Sequence, residues 1–430
     1  MVAPLKNINL RAAPPARLSW RSIAPCSLVA LTWMWCVPVA FTQPPVSITG
    51  RITAEGRWFP QSPALATQDD HGGGIGVEGD LRYTPPGSVG VRLAVAGHGD
   101  NADDGGYRWD VREGHVYVQE DTWRLLLGLQ RVAWGVSDVF PVVDVVNQRE
   151  RIDWLDRAEK LGQPLIGLTT WLTYGRLDLW VMPLFRPFPF PSERARLRPD
   201  RTVASADALY ESGTTYRTFD LALRYHLPLD RMDLAVHFFE GRNRMPFLIP
   251  NEELPAAVQP GAHEPDTVYV PFYEELLQAG LELQWTTGPW LWKAELAYRS
   301  GFFDDYVLSI GGFERTHYAI GGGVSDWTWV VEYAYDARGK SPTANTILDN
   351  DIFAGGRWAW NDLASTEVSG GTLIDLEIGE VLATLQAQRR IGPHTQLKLD
   401  AWWLAGTAES SPLHALRRDD FVRIQWIRFF

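Results

Sequence analysis

The segment Phe421-Val-Arg-Ile-Gln-Trp-Ile-Arg-Phe-Phe430 decides how this chain is read. Val422, Ile424, Trp426 and Phe430 share one face, with Arg428 the exception, while Arg423 and Gln425 share the other. A period of two is the signature of a strand, and an apolar outer row is what such a strand shows when one side meets hydrocarbon. Many similar segments precede it, and the last residue is aromatic. A closed transmembrane β-barrel ends in this way.

Working outward, the composition fits. The chain has 430 residues with 20 Trp, 14 Tyr and 18 Phe, more aromatics than a soluble domain ordinarily needs. Barrels place such rings in girdles at both membrane interfaces, where an apolar body and a polar tip are both accommodated. Lys6, Arg11, Arg17 and Arg21, with no acid among them, precede an apolar run from Ser27 to Phe41. That run contains Pro38 and is shorter than the roughly 20 residues a membrane helix needs, so residues 1–42 are expected to be a cleaved secretory signal and 43–430 the barrel. Both cysteines, Cys26 and Cys36, lie in that leader, which removes thiol and disulfide chemistry from the rest. Losing four positive and no negative charges takes the net charge from −12 to −16, a balance that speaks against nucleic acid as a partner.

Alternation bounded by turn residues predicts about eighteen strands. They span 46–59, 75–84, 88–97, 108–119, 122–134, 165–174, 176–185, 218–226 and 231–241. They continue at 276–286, 290–300, 311–321, 327–336, 351–360, 366–376, 380–390, 395–404 and 420–430. Short links such as 84–88, 120–121, 174–175 and 391–394 alternate with longer ones at 60–74, 98–107, 135–164, 186–217, 242–275, 301–310, 337–350 and 405–419; only 377–379 breaks the rule. Outer-membrane barrels carry short periplasmic turns and long extracellular loops, so the fold expected is an all-β, antiparallel up-and-down barrel. A soluble sandwich or propeller also uses many strands, but no blade motif recurs at the roughly 40–50-residue period of a propeller.

The inward faces carry charge. Asp220 and Arg224, Glu282, Lys293, Glu295 and Arg299, Lys398 and Asp400, and Arg423 all fall opposite the apolar rows and are expected to line a lumen. On the lipid side a basic residue would cost about 2–4 kcal/mol near the midplane. A ring of about eighteen strands encloses more space than side chains fill, so a wet path is expected over a sealed scaffold.

Gly128-Leu-Gln-Arg-Val-Ala-Trp-Gly135-Val-Ser-Asp138-Val-Phe-Pro141-Val-Val-Asp144-Val-Val-Asn147 carries a resemblance. So do Glu332-Tyr-Ala-Tyr-Asp336-Ala-Arg338-Gly339, Arg357-Trp-Ala-Trp-Asn361-Asp362 with Thr366-Glu367, Arg389-Arg390 before Gly392, and Arg418-Asp419-Asp420. Together, from about residue 120 onward, they resemble a largely uncharacterised family of bacterial outer-membrane porin-like proteins, and more distantly the alginate-export and other substrate-selective porins. The resemblance implies an outer-membrane location and about eighteen strands, without a substrate. Trp358 and Trp360 stand where many members have an aliphatic pair. The terminal Phe430 looks like the signal by which the barrel-assembly machinery recognises its clients.

The long link after Trp134 suggests a constriction: 136–160 is expected to fold inward, with Asp138, Asp144, Arg149 and Arg151 facing wall charges, against an exterior loop held by local Asx turns. Arg194, Arg196, Arg198 and Arg201 read as a solvated loop face, or as contacts to lipopolysaccharide phosphates or anionic solutes. Asp100, Asp103 and Asp104 beside Gly105 and Gly106 miss the spacing of an EF-hand, so no metal is expected, nor any cofactor. Nine scattered His residues and the absence of G-x-S-x-G argue against catalysis. The expected function is a channel for small polar or anionic solutes, in contact with outer-membrane lipid and lipopolysaccharide. The alternative is an accessory partner of an inner-membrane exporter.

Overall fold

The computed structural model describes residues 45–430 except 102–106, 140, 151–158, 213–216, 256–267, 342–345 and 410. The expected leader and Arg151 lie outside the described residues. The alternating segments become β1 (Val46–Trp58), β2 (His71–Tyr83), β3 (Val89–Asp100), β4 (Tyr107–Gln119), β5 (Trp123–Gln130), β6 (Gln163–Trp171) and β7 (Arg176–Leu184). Next come β8 (Thr202–Val203), β9 (Leu209–Tyr210), β10 (Arg217–Pro228), β11 (Met232–Arg242), β12 (Phe247–Pro250) and β13 (Val268–Tyr273). The rest are β14 (Glu275–Thr287), β15 (Trp290–Ser300), β16 (Asp305–His317), β17 (Asp326–Asp336), β18 (Asn350–Ala359), β19 (Glu367–Asp375), β20 (Val381–Arg390), β21 (Thr395–Ala405) and β22 (Phe421–Phe429).

Eighteen of these form one sheet; β8, β9, β12 and β13 form a second, four-stranded one. The large sheet closes because β1 pairs antiparallel with β2 on one side and with β22 on the other, from Arg51↔Phe429 to Trp58↔Val422. Closure leaves no edge strand, which hydrocarbon demands of a spanning sheet. Phe430 finishes the seam: its N–H donates to Gly50 O at 3.0 Å, and Gly50 N–H donates back to Phe430 O at 2.9 Å. Its ring lies 2.4 Å from where a Cβ on Gly50 would stand, so the last aromatic needs a glycine beneath it.

Faces divide as the alternation requires. Leu277, Trp285, Trp292, Leu296, Ile424 and Trp426 are exposed on the outside, whereas Gln278, Glu282, Lys293, Glu295 and Arg423 are buried. Exposed Trp123, Trp171, Trp285, Trp292, Trp329 and Trp426 lie near the short-turn ends of their strands, and Trp58, Trp109, Tyr298, Tyr335 and Trp403 near the opposite ends. These are two aromatic girdles, and the exposed apolar band between them is a lipid face. Among the described residues no helix is long and apolar enough to cross a membrane. The chain is a transmembrane barrel of the outer-membrane type.

Three boundaries differ most from the sequence reading. The strand expected at 311–321 runs Asp305–His317, so Gly311-Gly312 lie mid-strand and not at its start: a Cβ on Gly312 would stand 2.3 Å from Val331 O, and glycine here admits the neighbouring strand. The link expected at 301–310 shrinks accordingly to 301–304. Gly72, Gly73 and Gly74 likewise sit inside β2, paired with Arg57, Gly56 and Glu55. The strand expected at 122–134 ends at Gln130, where the chain turns inward.

Candidate functional site: the lumen and its inward segment

Asn147 accounts for the departure at Gln130. Its Oδ1 accepts from Val132 N at 2.7 Å, and its Nδ2 donates to Gln130 O at 3.0 Å and Leu161 O at 2.7 Å. One amide thus satisfies strand-end groups that a ladder partner would otherwise take. Residues 131–139 and 141–148 then run against the inner faces of β14, β15 and β17.

Three wall carboxylates receive this backbone. Glu282 Oε2 accepts from Gly135 N at 3.1 Å. Glu295 accepts from Val136 N at 2.5 Å, Ser137 N at 2.7 Å and Val143 N at 3.3 Å. Glu332 accepts from Asp138 N at 2.8 Å, Val139 N at 3.2 Å and Ser137 Oγ at 2.7 Å. A buried carboxylate is costly unless several donors face it, and the irregular backbone of 135–139 supplies them. Gly135 stands at φ 98, a conformation glycine adopts without strain. Apolar packing completes the attachment: Val132, Trp134, Val143, Val145 and Val146 are buried with Trp180, Met182, Phe239, Leu276, Tyr306 and Leu308.

The residues singled out from the sequence fall into two groups. Asp138 accepts from Lys293, whose ammonium also meets Glu314. Asp144 pairs within the segment itself, at 2.6 Å from both Arg149 and Lys160. Arg224 donates to both oxygens of Glu282 at 2.9 and 2.8 Å, and Arg299 donates to Gln278 Oε1 at 2.7 Å and Val142 O at 2.8 Å. Asp220 accepts from Arg244 at 2.7 Å. These groups point inward yet are covered by the segment or locked to its supports.

Lys398 and Arg423 instead border an open cavity of about 760 Å³, bounded by β1–β4, β16–β22 and the segment's Asp138, Val139, Glu150 and Glu159. Asp400 lies beneath Arg423, accepting from its Nε at 3.2 Å. On this side Lys398, Arg357 and Glu367 make no hydrogen bond or ion pair through their side chains among the described residues, and amide and hydroxyl groups of Gln388, Gln396, Gln425, Ser369 and Thr384 stand among them. The sequence reading had quoted Glu332 only as part of a resemblance motif, without a place in the lumen, and had not singled out the lumen rows of β1–β4 that contribute Arg51, Glu55, Glu78, His98 and Arg112. Their alternation was legible, but their strands carried no long charged run.

The outer loops pack together. Phe59, Leu197, Leu348, Leu413 and Leu416 are buried against Ile310, Ala334, Leu373, Leu382, Trp402 and Phe421 near the outer ends of the wall strands. Here the expectation of a solvated loop face is corrected for two of the four arginines, Arg196 and Arg198. Arg196 is buried and donates to Asp419 at 2.8 Å, Arg418 O at 2.8 Å and Gln61 O at 3.2 Å, with its guanidinium 4.3 Å from the Phe59 ring centre. Arg198 donates to Glu193 O, Pro199 O and Thr67, Arg194 pairs with Asp69, and Arg201 pairs with Glu252. Arg196 and Arg198 are internal cement because neighbouring loops supply acceptors that sequence spacing does not reveal, whereas Arg194 stays on the exposed loop face and Arg201 is half-buried. Burial pushes the Asp419 carboxyl up to about 6, with Arg196 pulling the other way.

The quoted motif residues also converge. Asp362 accepts from Thr366 N at 2.8 Å and Thr366 Oγ1 at 2.7 Å, Arg389 donates to Thr366 Oγ1 at 3.0 Å, and Asn361 Nδ2 donates to Val324 O at 2.7 Å. They fasten adjacent short turns. Arg338 closes on Asp336 at 2.7 Å and covers the Tyr306 ring.

Comparison with solved structures agrees with this architecture. A BenF-like porin from Pseudomonas fluorescens Pf-5 superposes with a TM-score of 0.50 at 9% identity, covering 91% of this chain and 99% of that one. OccAB1 of Acinetobacter baumannii gives 0.49 at 10% identity over 89% and 96% of the two chains. A mutant of the Rh. blastica porin gives 0.43 at 8% identity over 90% and 100%. No family model and no curated protein sequence matches the chain. The class defined by the fold is the closed eighteen-stranded β-barrel of the outer-membrane type.

Proposed function

We propose that this barrel is an outer-membrane channel for small polar or anionic solutes, with segment 131–150 narrowing the path. One observation carries the reading. On one side the lumen is filled by a segment that wall charges of β14, β15 and β17 hold, while the other side keeps a polar cavity bordered by Lys398 and Arg357, whose side chains have no hydrogen-bond or ion-pair partner among the described residues. Free cations beside amides and hydroxyls suit a carboxylate-bearing or hydroxylated solute, because each can replace part of its hydration shell. Phe430, at the seam, is proposed to serve as the assembly signal.

Planar-bilayer recording of the folded barrel tests this. Discrete conducting steps are expected, with a reversal potential under a salt gradient that reports anion preference. Deleting 140–158 should raise the step size; an unchanged step removes the narrowing role. The alternative reading is an accessory barrel for an inner-membrane exporter. A folded but electrically silent barrel that co-purifies with such a complex would select it.

A further inference from the structure

The lipid face carries a basic group that the channel reading does not use. Arg315, near the short-turn end of β16, pairs with Trp290 of β15 on one side and Trp329 of β17 on the other. Trp292 and Trp329 are exposed on the outside, so by strand alternation Trp290 and Arg315 face outward with them. The guanidinium lies 4.7 Å from the Trp290 ring centre, and that indole stacks on Trp292 at 5.6 Å and meets Phe313 at 5.3 Å. The charge therefore has an aromatic seat. What it lacks is an acceptor: among the described residues the Arg315 side chain makes no hydrogen bond or ion pair, and its Nε is buried without a partner. Two other arginines on outward faces at this end are engaged, Arg389 donating to Thr366 Oγ1 at 3.0 Å and Arg428 to Thr395 Oγ1 at 3.1 Å. Beyond Phe313 the outward row of β16 continues through Gly311 and Ser309, with Ala294 of β15 paired to Gly311. A Cβ on Gly311 would meet nothing within 4 Å, so these small residues leave a shallow trough between the exposed Leu296 and Tyr333.

We infer that Arg315, seated on Trp290 and flanked by Trp329, binds the phosphate of one anionic phospholipid in the periplasmic leaflet, with an acyl chain along the trough over Gly311. A cation on the hydrocarbon side of a barrel is tolerated at the interface because it meets headgroups there. A buried guanidinium donor with no protein acceptor calls for an anion, and the guanidinium fork matches two phosphate oxygens. Short turns lie on the periplasmic side in this fold class, which places Arg315 at the depth of phospholipid headgroups and away from the lipopolysaccharide leaflet. A net-negative headgroup is favoured over a zwitterionic one because nothing in the protein offsets the Arg315 charge.

Native mass spectrometry of the detergent-folded barrel with added dioleoylphosphatidylglycerol tests the site without any use of ion conduction, so its outcome is separate from that of the channel reading. One phosphatidylglycerol per chain should stay bound at activation energies that strip phosphatidylcholine with the same acyl chains. Arg315→Gln should lower that occupancy about fivefold. Arg428→Gln, which removes an arginine that already has its own acceptor, should leave it unchanged. Trp290→Leu, which removes the seat and keeps the charge, should lower occupancy by a smaller factor, and it carries the test if Arg315→Gln loses the heat-dependent gel shift of a folded barrel. Equal retention of the two lipids, or an equal loss in Arg315→Gln and Arg428→Gln, overturns the assignment. So does displacement of the bound lipid by inorganic phosphate, or retention of lipopolysaccharide in its place.

Discussion

The two sides of the lumen use the same residue types for opposite ends. Under the inward segment, Glu282, Glu295 and Glu332 accept backbone N–H groups, and Arg224 and Lys293 pair with carboxylates. Across the cavity, Lys398, Arg357 and Glu367 face water with no protein partner among the described residues. An inward charge on a barrel wall is therefore not by itself a solute contact. What distinguishes the two is whether a second chain segment supplies donors or acceptors, and that segment is distant in sequence. The contrast can be broken by substitutions whose effects on stability should fall steeply from the first side to the second.

The largest effect belongs to Glu295→Ala. It strips the acceptor from Val136, Ser137 and Val143 N–H at once. At about 1–3 kcal/mol for each buried group left unpaired, a loss of roughly 3–5 kcal/mol follows after partial rehydration. Urea unfolding followed by gel mobility measures it, and current recordings of the same variant should become noisier as the segment loosens. A variant as stable as the parent would mean that apolar packing alone seats the segment.

Arg196→Ala comes next, because it leaves the buried Asp419 without its guanidinium; breaking a buried pair costs about 3 kcal/mol. The outer loops, not the strands, should respond, seen as faster proteolysis in 185–201 and 406–420. Its pH dependence has a definite sign. Burial raises Asp419 to about 6, above the ordinary value of about 3.9, so the folded state binds the extra proton between those limits. The contribution of this group to stability is present in full below about pH 4 and is lost as pH rises through about 6. Protease resistance of the outer loops that instead falls on acidification across this window would contradict the assignment.

These cases also mark what the sequence made legible. All eighteen wall strands were visible in the alternation of Leu277, Leu281 and Trp285 against Gln278 and Glu282, because a membrane barrel exposes each strand to two solvents along its whole length. Glycine misled at Gly72–Gly74: the pattern of a turn and the pattern of a close strand approach are the same in one dimension. The segment around Asp138 and Asp144 was suspected from its length and charge, but Glu332, its main anchor, lies 194 positions from Asp138. Arg196 shows the same limit. A run of arginines solvates when nothing faces it, and only the fold brings Asp419 and the carbonyls of Gln61 and Arg418 to it.

The smallest effect on stability should come from Lys398→Glu, and it is the sharpest test of the contrast. Lys398 borders the cavity with no hydrogen-bond or ion-pair partner among the described residues, so reversing its charge should leave unfolding within about 0.5 kcal/mol of the parent. Its ammonium is instead free to act on whatever passes, with a field little screened over distances shorter than the Debye length of about 8–10 Å. The reversal potential under a salt gradient should then shift toward cation preference, by more than in an Arg224→Gln variant, whose guanidinium is already spent on Glu282. A large loss of stability with an unchanged reversal potential would place Lys398 with the fasteners and erase the distinction between the two walls.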